Sequence, residues 1–109
     1  MVNLKKCFED AANENGDTLL SAVVGWHDND KGRWENHGKK FPVEPWSEAS
    51  KKLDYEYSDE FGGADCHAAF VWGERFIYYV HEYDGATGVE SLPRNPEECA
   101  PGYRGIENL

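Results

Sequence analysis

The sequence predicts an α+β domain in the order α-β-β-α-β-β-β, with two helices packed on one face of an antiparallel sheet. Three observations lead to this. Apolar residues near the start recur at helical spacing. Two strongly β-forming runs, "CHAAFVW" and "RFIYYVHEY", flank a short turn and are followed by a third run, "VESL". The length of 109 residues suits one modest core, and an aromatic content of 14% argues against a disordered chain.

Taking the elements in order, Asn3 is a good N-cap for a helix whose face is Leu4, Cys7, Phe8, Ala11 and Ala12, the i, i+3, i+4, i+7, i+8 pattern. "NENGD" ends it, with Gly16 suited to the left-handed position after the last turn. "TLLSAVVGW" reads as a strand over about 18–27. Asn29-Asp30-Lys31-Gly32 reads as a turn into a second strand over about 33–36. "NHGKKFPVEP" is a loop, and Pro45 opens a second helix in which Trp46, Ala49 and Leu53 share a face, running to about Asp54. Gly62-Gly63 separates the acidic stretch that follows from the C-terminal three-stranded meander. In that meander Gly73-Glu74 is expected as a type II′ turn, with glycine first. Residues 1–92 form the domain, and 93–109, rich in Pro and Gly, form an irregular tail.

The N-terminus lacks the apolar block and cleavage site of a signal peptide. No apolar run reaches the length of a membrane span, so a cytoplasmic protein is expected. Cys7, Cys66 and Cys99, an odd number at wide spacing, fit reduced thiols.

Charge is distributed unevenly. The net charge of −10 lies almost wholly between Asp54 and Glu98, where Arg75 and Arg94 are the only bases. This balance disfavours direct nucleic-acid binding, which relies on Lys and Arg neutralising phosphates. It also disfavours a thiolate nucleophile at Cys66 beside His67, since an activated thiolate needs an electropositive setting. His27, His37, His67 and His81 each stand alone in sequence. A calcium loop from Asp28 fails because Gly32 and Lys39 occupy ligand positions. No metal and no cofactor are expected.

The stretch "LDYEYSDEFGGAD" carries Asp54, Glu56, Asp59, Glu60 and Asp65 beside Tyr55, Tyr57 and Phe61, with no base. The period of two predicts an edge strand with Tyr55, Tyr57 and Phe61 inward and Asp54, Glu56 and Ser58 outward. Alternate residues on one face recur at about 6.6–6.8 Å, a spacing close to that of successive phosphates. The function expected from this is non-catalytic. An acidic face docks on a basic protein partner, in the manner of an anti-restriction or anti-CRISPR antagonist that inhibits a nucleic-acid-processing protein. The expected contact residues are Asp54, Glu56, Asp59, Glu60 and Asp65, with Tyr57 or Phe61 as an aromatic anchor. Two alternatives are a small carboxylate-dependent enzyme using His81, Glu82 and Asp84, and a structural or oligomeric accessory protein exposing Trp26, Trp34, Trp46 or Trp72.

Overall fold

A computed structural model describes residues 1–27, 38–60 and 65–106. Among these residues, two helices lie on one face of a five-stranded antiparallel sheet. A two-residue strand β1 (Val2–Asn3) leads into helix α1 (Leu4–Glu14) and strand β2 (Leu19–His27). Strand β3 (Glu44–Pro45) precedes helix α2 (Trp46–Leu53), and β4 (Glu56–Tyr57) follows it. The meander is β5 (His67–Gly73), β6 (Phe76–Tyr83) and β7 (Ala86–Pro93), and the chain ends in β8 (Pro101–Gly102) and β9 (Gly105–Ile106). The sheet order is β3-β2-β5-β6-β7, while β1-β4 and β8-β9 are separate two-stranded ribbons. The turn expected at Asn29–Gly32 and the strand over 33–36 lie outside the described residues.

Helix α1 begins and ends where its caps dictate. The Asn3 side chain accepts the Lys6 N–H at 3.0 Å, filling one of the donors a helix leaves open at its start. At the other end Gly16 sits at φ 61. There Asp17 N–H bonds the Ala12 carbonyl at 2.9 Å and Gly16 N–H bonds that of Asn13 at 3.1 Å, which closes a Schellman motif. In α2, Pro45 is the N-cap rather than the first helical residue. Its fixed φ still sets the entry of the chain into the helix.

The core lies between the helices and the inner sheet face. Leu4, Phe8 and Ala12 of α1 and Ala49 and Leu53 of α2 meet Ala22, Val24, Ala69, Val71, Phe76 and Tyr78 of the sheet. Burying each of Leu4, Phe8 and Leu53 contributes about 2 kcal/mol, relative to leaving it exposed. Cys7 and Ala11 flank this stripe half-buried.

The turn between β5 and β6 differs from expectation. Trp72 pairs Ile77, so the loop is Glu74-Arg75 and Gly73 closes the strand without a positive φ. The cause is Asp17. Its carboxylate oxygens accept the N–H groups of Thr18 (3.0 Å), Arg75 (3.0 Å) and Phe76 (3.1 Å), and the Tyr78 hydroxyl (2.9 Å). A Cβ at Gly73 would run into that carboxylate. The glycine is therefore needed for close approach rather than for its own backbone freedom. The β6–β7 turn, in contrast, is Asp84-Gly85, with both residues at positive φ (52 and 84) as a type I′ turn requires.

Strand β2 carries two irregularities. Leu20 is an extra residue between the Leu19–Gly73 and Ser21–Trp72 pairs. Farther along, Gly25 and Trp26 together oppose Ala68, between the Val24–Ala69 and His27–His67 pairs. The second bulge moves the alternation by one residue, so that His27 takes the inner face beside His67. After β7 the chain has no regular element from Arg94 to Ala100, and the β8–β9 ribbon then lies against β7. No helix among the described residues is long and apolar enough to cross a membrane.

Candidate functional site

The acidic stretch leaves α2 at Asp54 and is strapped to the domain at both ends. Asn3, already the N-cap of α1, donates its side-chain N–H to the Asp54 carboxylate at 2.9 Å. The Tyr55 carbonyl accepts the Leu4 N–H at 3.0 Å, and β4 pairs β1 through Val2–Tyr57 and Asn3–Glu56. At the far end the Asp59 carbonyl accepts the Thr87 N–H of β7 at 2.9 Å. Residues 54–60 thus cross the start of α1 and reach the sheet edge on a defined path.

Burial along this path has the expected period of two. Leu53 and Tyr57 are buried and Tyr55 is half-buried, while Asp54, Glu56 and Ser58 face solvent. The strand itself is shorter than expected. Only Glu56–Tyr57 pairs, because its partner β1 is two residues long, so the acids follow a bent strap and not a straight row along an extended strand. Asp59 is half-buried, whereas Glu60 and Asp65 are exposed. Among the described residues, no Lys or Arg lies within ion-pair distance of Asp54, Glu56, Asp59 or Glu60. Asp65 approaches His27 at 3.8 Å.

The expected aromatic anchors have different placements. The Tyr57 ring is 2% exposed and belongs to the core, so it fixes the strap from within and presents no surface to a partner. Its hydroxyl is buried near the Cys7 thiol and the Thr87 hydroxyl, without a hydrogen bond of ordinary length and angle. Burial pushes both the Tyr57 hydroxyl and the Cys7 thiol up, and the nearby Asp59 charge acts in the same direction. Phe61 lies outside the described residues.

Under the strap the structure brings together side chains that stand apart in sequence. The Tyr55 hydroxyl is 2.8 Å from His67 Nδ1 and accepts the His67 backbone N–H at 2.7 Å. The His27 ring packs edge-on against His67 with centroids 5.2 Å apart, and tilted against Tyr55 at 6.2 Å. The expectation that each histidine stands alone is thus overturned for this pair. The cause is the bulge at Gly25-Trp26, which no local sequence signal except the glycine marks. His67 is half-buried in this cluster, and Cys66 beside it is buried.

The residues of the carboxylate-enzyme alternative do not converge. His81 and Glu82 are consecutive on β6, opposite Gly88 and Thr87, so their side chains leave on opposite faces. Asp84 sits in the turn beyond them. His81 lines a small groove of about 130 Å³ with Tyr83, Glu90 and Arg104. Among the described residues, no three His, Cys, Asp or Glu side chains gather as a metal ion would need.

The fold and site define a small α+β domain that displays an acidic strap on a buried aromatic footing. Comparison with known proteins found no matching family model, no matching curated protein and no matching solved structure.

Proposed function

We propose that this chain is a non-catalytic binding protein whose acidic strap docks on a basic protein, a nucleic-acid-binding enzyme or complex being the partner that fits best. One observation carries this reading. Asp54, Glu56, Asp59 and Glu60 lie on backbone tied to α1 and β7, yet no cation of the described residues answers them. Like charges held close on a fixed path repel one another and weaken the fold. A partner rich in Lys and Arg turns that repulsion into complementarity, which speeds association and selects against acidic competitors. The same surface would compete with phosphates for a cationic groove, which makes the protein an antagonist of the anti-restriction or anti-CRISPR kind. Exposed Asp54, Glu56, Glu60 and Asp65 and half-buried Asp59 make the contact, and Tyr57 holds their backbone in place.

The test is affinity capture from a bacterial lysate at low and at roughly half-molar salt, with wild type and the E56K/D59K/E60K variant side by side. The expected result is one nucleic-acid-binding protein retained at defined stoichiometry by wild type and lost by the variant. Equal capture by both, or a set of basic proteins that all leave at high salt, would overturn the assignment.

A further inference from the structure

The sheet face turned away from the helices carries a second feature, independent of the acidic strap. The outward residues of β2 and β5 meet there in the Val23–Phe70 pair. An open groove of about 490 Å³ runs beside it, lined by Val23, Gly25, Phe41, Ala68 and Phe70, with Lys39 and Lys40 at its rim. The bulge creates the space, since Gly25 has no side chain and Ala68 opposite offers a single methyl group. Phe70 forms one wall, 57% exposed, and is flanked edge-on by Trp72 with centroids 6.5 Å apart. Phe41 forms part of the other wall and packs edge-on against Trp26 at 5.5 Å.

An apolar groove of this size, with a few convergent polar groups, has the character of a small-molecule site. The two lysines say which end of a ligand they would hold. Lys39 Nζ lies over the Trp26 ring, 5.2 Å from its centroid, which keeps the ammonium at the groove. Among the described residues, no carboxylate lies within ion-pair distance of Lys39 or Lys40. By contrast Lys6, Lys51 and Lys52 each pair with a neighbouring acid. The groove thus combines partly exposed apolar walls with two cations that no described carboxylate answers, in a molecule of net charge −10.

We propose that this groove binds an amphipathic carboxylate, a small organic acid whose aliphatic or aromatic body lies between Phe41 and Phe70 and whose carboxylate meets the ammonium groups of Lys39 and Lys40. Apolar burial supplies the attraction and the lysines set the orientation. A neutral molecule of the same shape loses the second part.

The experiment is a titration of the full chain with decanoate, below its micelle-forming concentration, followed by backbone amide NMR shifts, with decanol as the neutral control. The expected result is saturable shifts at Val23, Gly25, Phe41 and Ala68 to Phe70, with affinity falling about ten-fold in K39Q/K40Q and for decanol. Both lysines are exposed, so the variant keeps the fold, which its unchanged spectrum elsewhere verifies. Three outcomes would overturn the proposal: no saturation, shifts centred on other residues, or equal affinity in K39Q/K40Q. The acidic strap plays no part in this test, so its result and that of the capture experiment are separate.

Discussion

Asp17 and Glu56 are both acidic residues within a step of the core, and the chain treats them in opposite ways. Asp17 accepts three backbone N–H groups and a tyrosine hydroxyl, and its neighbour Asn15 extends the network to Tyr78 and Ser91. Burial alone would raise its carboxyl, but the hydrogen bonds from Tyr78, Arg75, Thr18 and Phe76 outweigh this and hold it below its usual value. Tyr78, buried and facing that carboxylate, is pushed up to about 12. Glu56 is exposed on β4 and none of the described donors or cations meets it. A carboxylate surrounded by donors is a structural part, joining α1 to the β5–β6 turn. One presented without them has its bonding capacity left for another molecule.

The sharpest way to break this contrast is at Gly73. Replacement by Val forces a side chain into the space of the Asp17 carboxylate, and a loss of about 3 kcal/mol in urea unfolding is expected. Asp17→Ala comes next. It leaves the N–H groups of Arg75 and Phe76 without their acceptor and is expected to cost about 2 kcal/mol.

The Asp17 contribution also has a defined pH dependence. Because the folded-state value is depressed, its stabilisation is fully present above the unfolded value of about 3.9 and is lost as pH falls through the folded one. Urea midpoints measured between pH 7 and pH 2 should show this loss, and D17N should flatten it. Tyr55→Phe, which removes the hydroxyl bonded to His67, is expected to cost about 1 kcal/mol in the same assay. The smallest effect belongs to the strap. E56K/D59K/E60K should alter stability by no more than about 0.5 kcal/mol while abolishing capture of a basic partner. A large loss of stability would instead make those acids structural, like Asp17.

The legible parts of the fold are those with local causes. Asn3 and Gly16 mark the ends of α1 because caps are a matter of one or two residues, and Trp46, Ala49 and Leu53 mark the buried face of α2 through their spacing. The inward and outward turns of residues 53–58 follow from a period of two. What the sequence did not disclose depends on distant partners. The β5–β6 turn is decided by Asp17, 56 positions before Gly73, and the meeting of His27 with His67 by an inserted residue. The length of β4 is decided by the two residues of β1 that pair with it. The groove beside Phe70 has no motif at all, since Lys39 and Phe41, which precede β3, meet Phe70 of β5 only because β2 pairs with both β3 and β5.

The bulge in β2 lets the outer face of the sheet vary while the inner face is held. Deleting either Gly25 or Trp26 would change no charge and remove no carboxylate; it would restore simple alternation with His27 still opposite His67, and leave a single residue facing Ala68 beside Phe70. For this chain, then, a one-codon deletion between Val24 and His27 acts on the outer face beside Phe70 and spares the inner pairs Val24–Ala69 and His27–His67.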